Sequence, residues 1–406
     1  MISYKQIIMM FCMFVYGTSV FSQTEKVQSF SFSNSEGYNR IPFNYINDRI
    51  YIPAIIEDSV RCNLFLDTGS KNVWLDSTFV EKNKKQLSLI INPQPNNSTT
   101  PDGTRRFYQT LFVWKKGQEK KQNQKIQVNN TVVFEEHPAV ADHRGDAYGK
   151  GVLPLALLAK NKIVNINIKE KKMALLDRID NKSDSIRFEI EPYTSAPLIK
   201  TEILLQDADT SYLLKGSFLL DLGFRGDLML SESILEKQLK GVPYYEFVYA
   251  SSAIGNTSSI KESYNLSLKI DNIQAKNIRV TYVQKMPPDI IGVIGIIMLK
   301  HINFALDYRN CFFHYHMQEP SIQNKAHFIN EKDFGIFFMK QSSLLYIAQV
   351  RKGGKADLSG VKPFDQIVQV NDDFVTIENC DSLYRLSYVK KIVVQQKSGK
   401  KITLQK

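Results

Sequence analysis

Along most of this chain apolar and polar residues alternate with a period near two. Runs such as "RIPFNYI" (40–46), "RIYIPAII" (49–56), "CNLFLD" (62–67), "FYQTLFVW" (107–114), "KIVNINI" (162–168), "KKMALL" (171–176), "YNLSLKI" (264–270), "NIRVTYV" (277–283) and "INFALDY" (302–308) are short. They are rich in β-branched and aromatic residues and are separated by polar turns, the signature of half-buried strands. Helical periodicity is rare. Its best examples are "DSTFVEKN" from Asp76 and "SESILEKQL" from Ser231, each opening on a residue that caps a helix N-terminus. The expectation is a mainly β protein.

The pattern also repeats. "CNLFLDTGSKNVWLD" from Cys62 and "GSFLLDLGFRGDLML" from Gly216 each carry an apolar strand ending in Asp-X-Gly, at Asp67 and Asp221. Each is followed at nearly the same distance by one of the two helical segments, with Glu81-Lys82 in the first and Glu236-Lys237 in the second. Downstream, "GVLPLALLAKNKIVNINIKEKKMAL" from Gly151 matches "GVIGIIMLKHINFALDYRNCFFHY" from Gly292 with one gap. This is an internal repeat of supersecondary size. It ends near Met317, where "QEPSIQNKAHF" reads as a polar linker and a third, strand-rich unit begins.

Bulk properties fit this picture. At 406 residues the chain exceeds the roughly 100–200 residues of one domain. With 43% hydrophobic and 23% charged residues it is an ordinary globular composition. The net charge of +11 is spread along the chain. Its densest run, between Lys115 and Lys125, is mostly Lys and Gln and reads as a solvated hairpin tip, so no nucleic-acid partner is expected. At the N-terminus Lys5 precedes an apolar run from Ile7 to about Val15, followed by small residues, with Val20 and Ser22 where a signal peptidase reads. The run is shorter than the ~20 residues of a spanning helix, so residues 1–22 read as a cleaved secretory signal and no transmembrane anchor is expected. The protein is then exported, to the periplasm or beyond the cell. Cys62, Cys311 and Cys380 remain after cleavage; three cysteines make no disulfide framework, and a Cys62–Cys311 bridge stays open.

Two aspartates at the ends of equivalent strands are what a carboxylate dyad needs. Held about 3 Å apart, the two cannot both ionise and share one proton, which leaves one base and one acid. The base activates a water for attack on an amide carbonyl, and the acid stabilises the oxyanion and helps protonate the leaving nitrogen. Gly69 and Gly223 suit such a pair because a side chain there would block the close approach of the two turns.

On these residues the chain resembles the bilobal and retropepsin-like aspartic peptidases, specifically the exported bacterial type joined to a C-terminal PDZ domain, over residues of about 35 to 406. The resemblance implies a two-lobed, duplicated acid-protease-like β fold, with lobes at 23–185 and 186–318, a linker at 319–330 and a PDZ domain at 331–406. It implies Asp67 and Asp221 as catalytic residues, supported by Thr68, Gly69, Ser70 and Gly223, with flap hairpins at "NSTTPDGTRRF" (97–107) and "SSAIGNTSSI" (251–260). Thr68 matches the position whose hydroxyl crosses to the other lobe, and Ser70 the position that hydrogen-bonds the outer oxygen of its own aspartate. Leu222 and Phe224 depart from the pattern, since neither carries a hydroxyl. Arg225 either pairs with Asp221 or lies at the surface.

In the third unit Phe334, Gly335 and Ile336 match the loop that receives a peptide C-terminus in PDZ domains, and Ala356, Gly360 and Asp365 match other recurrent positions. The implied activity is aspartic endopeptidase action on peptide or protein substrates, by a monomer, with no cofactor and no metal. The alternative is a peptide-binding protein of the same fold whose second lobe has lost catalysis, and a third is an envelope scaffold.

Other candidates carry less. His137 and His143 flank a proline and lack zinc-protease spacing, so they read as a polar loop. His301, His314 and His316 read as exposed strand residues. No Gly-X-Ser-X-Gly or Gly-Asn-Ser-Gly-Gly turn is present, which excludes a serine nucleophile of those types.

Overall fold

The computed structural model describes residues 39–87, the strand backbones between 94 and 141, and residues 149–406, apart from single residues and short loops within them. The expected signal at 1–22, the loop of His137 and His143, and the tips of both expected flap hairpins lie outside the described residues. The chain is mainly β, with thirty strands against six short helices among the described residues.

Strand Arg49–Ile56 turns back on Val60–Asp67 with Tyr51 opposite Phe65 and Ile56 opposite Val60. Period-two alternation splits their side chains between two faces. Ile50, Ile52, Leu64 and Leu66 are fully buried in the main core, while Tyr51 and Phe65 join Val152 and Trp74 in a small cluster on the other face. Strand Gly151–Pro154 then inserts between two earlier strands. It runs parallel to Val60–Asp67, with Pro154 opposite Asp67, and antiparallel to Trp74–Asp76, with Gly151 opposite Leu75.

The same order of pairing occurs a second time. Pro197–Asp207 and Thr210–Asp221 form a long hairpin. Gly292–Gly295 lies parallel to Thr210–Asp221, with Asp221 opposite Gly295, and antiparallel to Leu228–Ser231, with Gly292 opposite Leu230. Both expected helices form: Ser77–Asn83, whose N-cap Asp76 accepts from the Phe79 amide, and Glu232–Lys237, whose N-cap Ser231 accepts from Ser233. Each inserted strand is followed by a one-turn apolar helix, Leu155–Leu158 or Ile296–Leu299. Ile163–Asn167 pairs antiparallel with Ile302–Asp307, and Asn165 Nδ2 donates to Asn303 Oδ1 and the Phe304 carbonyl, so the two halves share one sheet. One core cluster runs from Ile41 to Ile322 across both.

The C-terminal unit has its own core, from Phe334 to Leu404. It comprises Ile336–Gln341, Leu344–Arg351, the helix Lys355–Leu358, Gln366–Val370 and the closing hairpin Lys391–Gln395 with Lys401–Gln405. A second helix, Cys380–Tyr384, escapes the sequence pattern; among its described side chains Cys380 and Leu383 are buried apolar groups and Ser382 is exposed, too few positions to show a period. Part of the segment read as a polar linker pairs with the second half. Ile322–Gln323 pairs in parallel with the strand Ile273–Val283, and Ile322 is buried.

Candidate active site

Asp67 and Asp221 end their strands, and each turn folds back so that the glycine amide two residues on donates to its own aspartate. Gly69 N–H meets Asp67 Oδ1 at 2.7 Å, and Gly223 N–H meets Asp221 Oδ1 at 2.7 Å. The fold brings the two turns face to face across 154 residues of sequence. A Cβ on Gly69 would lie 3.0 Å from both carboxyl oxygens of Asp221, and one on Gly223 would lie 2.6 Å from Asp67 Oδ1. Only glycine allows that approach. The carboxyl groups share a hydrogen bond and are both buried, at 5% and 3% exposure.

Burial and the charge of Asp221 hold the Asp67 carboxyl well above the usual carboxylate range, against the opposing pull of the Gly69 amide and of Arg49. The buried pair therefore retains a proton between its two carboxyl groups.

Thr68 does cross to the other turn. Its hydroxyl donates to the Leu220 carbonyl at 2.8 Å and accepts from the Leu222 amide at 2.9 Å, using both of its hydrogen-bonding roles on one partner strand. Ser70 behaves differently from the expectation. Its hydroxyl proton goes to the Asn72 carbonyl at 2.9 Å, so it is not spent on Asp67, and Ser70 braces its own turn instead. Leu222 packs into the main core. The Phe224 ring fills the space left by two glycines, since a Cβ on Gly226 would lie 2.2 Å from its Cζ and one on Gly295 2.5 Å from its Cδ1. It belongs to an apolar cluster with Leu219, Met229 and Val293. The two departures thus exchange hydroxyls for packing. Arg225 Nη1 donates to the Asn47 carbonyl at 3.3 Å, reaching across to the first half.

Two neighbours of the dyad escaped the sequence reading. Continuing the register of Tyr51 opposite Phe65 by two residues sets Arg49 opposite Asp67, on the same face. Its guanidinium lies 5.1 Å from the Phe65 ring centroid. The corresponding extension in the second hairpin, from Leu198 opposite Leu219, sets buried Ala196 opposite Asp221. The hairpin turn near residue 58 was signal enough to find Arg49. Tyr308 could not be found that way. Its hydroxyl is buried without a hydrogen-bond partner, and burial, with the Asp67 charge, raises its pKa far above the ordinary tyrosine value.

The histidines are less exposed than expected. His301 sits in a turn, where burial lowers it to about 4, and His314 is half-buried on its strand and shares a hydrogen bond with Ser183. Cys62 and Cys311 are free, so no bridge joins them, and burial pushes the Cys62 thiol up to about 12. No cluster of His, Cys, Asp or Glu among the described residues is arranged to hold a metal ion.

In the C-terminal unit the three candidate residues sit together at the start of a strand. Phe334 is buried, its carbonyl accepts from Ala356, and Gly335, at φ +72°, accepts from the Arg351 amide at 2.7 Å. Ile336 opens the strand Ile336–Gln341, against which the helix Cys380–Tyr384 packs. No described helix is long and apolar enough to cross a membrane.

A scan against models of known protein families finds no match to this chain. A search of curated proteins likewise finds no matching relative.

Proposed function

We propose that this protein is an aspartic-type endopeptidase that hydrolyses peptide bonds through Asp67 and Asp221. The observation that carries the reading is the hydrogen-bonded, buried pair of carboxyl groups brought together from the two halves of one chain. A like-charge pair without a binding or catalytic role would be expensive to maintain in such a place.

The ionised carboxyl of the pair takes a proton from a water held between the two as the water oxygen bonds to the amide carbon. Its protonated partner donates to the carbonyl oxygen, and a tetrahedral diol forms. As the C–N bond breaks, the carboxyl that took the water's proton passes it to the leaving nitrogen, a diol hydroxyl returns its proton to the other carboxylate, and the pair again holds one shared proton. Both aspartates come from one chain, which supports action as a monomer. The N-terminal apolar run supports export.

For the C-terminal unit the reading is a PDZ-like module that receives a peptide C-terminus at Phe334, Gly335 and Ile336. The left-handed Gly335 and the adjoining strand and helix support it, since a peptide laid there would add a strand to the sheet.

Leu222 and Phe224 favour a second reading, a peptide-binding protein without turnover. The test is cleavage of a diverse peptide library from pH 3 to 8 by the mature protein, beside Asp67→Asn and Asp221→Asn. Loss of roughly 10²–10⁴-fold with either substitution supports the dyad. Folded wild-type protein that cleaves nothing, yet retains peptides, would establish the second reading.

A further inference from the structure

The second half buries a set of charges that the dyad chemistry does not use. Glu262 is 0% exposed, Asp227 3% and Arg279 7%. Buried charges persist only when partnered, and these partner one another. Arg279 Nη1 lies 3.9 Å from Glu262 Oε1, its Nη2 donates to the Arg225 carbonyl at 3.4 Å, and its amide donates to Asp227 Oδ2 at 3.0 Å. Asp227 in turn takes the Asn324 side chain on Oδ1 at 2.9 Å and the Gly295 amide on its carbonyl at 2.9 Å. Residues 225–227 are the far end of the turn that begins at Asp221, and Gly295 lies directly opposite Asp221. Arg279 therefore grips the turn that seats the second aspartate.

The same charges connect outward to the C-terminal unit. Glu262 lies opposite Tyr245 in the hairpin Tyr245–Ala250 with Thr257–Ile270. The Tyr264 hydroxyl donates to Glu262, and its ring meets that of Tyr245 edge-on at 6.2 Å. The Arg351 guanidinium lies 5.6 Å from the Tyr245 ring centroid. Arg351 belongs to the C-terminal unit, donates its amide to Gly335, and runs beside Gly335 with Nε 3.3 Å from where a Cβ would stand. This contact is no isolated touch. The strand Leu344–Arg351 pairs antiparallel with Tyr245–Ala250 from Phe247 opposite Arg351 to Tyr249 opposite Gln349. Lys352 extends it, with its amide on the Glu246 carbonyl at 2.8 Å and its Nζ on the Glu246 carboxylate at 2.6 Å.

We infer that Arg279 is a positioning residue for Asp221, and that the C-terminal unit, acting through Arg351, Tyr245 and Glu262, sets how firmly Arg279 holds the Asp221 turn. The catalytic part of this inference rests on the proposed peptidase reading. Its physical basis is a contiguous path from the contact of exposed Tyr245 with Arg351 to the buried charges of Glu262 and Arg279, where screening is weakest.

The experiment uses the full chain and measures backbone hydrogen exchange over residues 219–230, with kcat and KM for a cleaved library peptide. Arg279→Lys keeps a charge beside Glu262 but loses the fork that reaches Arg225. Arg351→Ala removes the outer end of the path, and Lys362→Ala, which breaks a surface ion pair with Asp357 inside the C-terminal unit, is the control. The expected result is exchange at the turn accelerated about 5-fold or more in Arg279→Lys and Arg351→Ala but not in the control. In both variants kcat falls by a similar factor while KM changes less than about 2-fold, the mark of a group that acts on the reacting geometry and not on substrate binding. Should Arg279→Lys fail to fold, Arg279→Met combined with Glu262→Gln removes the Arg279–Glu262 ion pair as a unit, leaves Asp227 its hydrogen bonds from the residue 279 amide and Asn324, and is expected to show the same acceleration. Unchanged exchange in the Arg279 variants overturns the positioning role, and a response to Arg279 variants without one to Arg351→Ala overturns the link to the C-terminal unit. Wild-type protein that cleaves no peptide overturns the peptidase reading alone, and the exchange data then decide the mechanical link by themselves.

Discussion

The hydroxyl of Thr68 both donates to the strand of Leu222, at the Leu220 carbonyl, and accepts from the Leu222 amide, whereas the Leu222 side chain, buried in the core, has nothing to return. The two aspartate turns are therefore locked from one side only. Thr68→Val is expected to leave a buried carbonyl and a buried amide without partners, at about 1–3 kcal/mol for each. Denaturant unfolding would register this loss, and Thr68→Ser, which keeps the hydroxyl, should stay close to wild type.

Gly223→Ala should impair activity beyond its effect on stability. The added methyl would stand 2.6 Å from Asp67 Oδ1, so the carboxyl groups must separate. Displacement of that order costs about 10²-fold in turnover. A steady-state assay beside a thermal melt separates the two effects; a variant as active as wild type would show that the turns relax without moving the dyad.

The raised Asp67 carboxyl also makes a stability prediction. A carboxyl with a folded-state value above its unfolded value binds more protons when folded, so folding is favoured at pH values below the ordinary carboxylate range and loses that contribution as pH rises through the folded value. Asp67→Asn removes the effect. Melting temperatures of wild type and Asp67→Asn, measured from pH 4 to 9, should converge towards the acid end and diverge at high pH with the variant the more stable.

Arg49 should tune the pair. Its positive charge, opposite Asp67, favours the ionised carboxylate and so lowers the proton affinity of the dyad. Arg49→Met is expected to move both limbs of the pH–rate profile upward, by about one unit or less for a partly solvated cation. An unmoved profile would show that the guanidinium is screened from the reacting groups.

Much of this protein could be read locally. Period-two alternation places Leu64 and Leu66 on one face and Phe65 and Asp67 on the other whatever the rest of the chain does, and Asp76 and Ser231 cap their helices with their own side chains. The recurrence of Asp-X-Gly before equivalent helices marked both aspartates, because such turns are specified by a few adjacent residues. Other features depend on partners distant in sequence. Ser70 turns to Asn72 instead of its aspartate, and Phe224 takes space left by Gly226 and Gly295, which no local pattern announces. Ile322 anchors a stretch of polar composition, and Arg279 meets Glu262, Arg225 and Asp227 only because three strands and a turn converge. Alternation and capping are properties of neighbouring residues, so the sequence by itself determined most of the strands, the two capped helices and the two aspartate turns. Burial and the pairing of charges are properties of assembled elements, so only the tertiary structure decided that the two carboxyl groups meet in a buried place, which hydroxyl locks their turns and what holds the second turn in place.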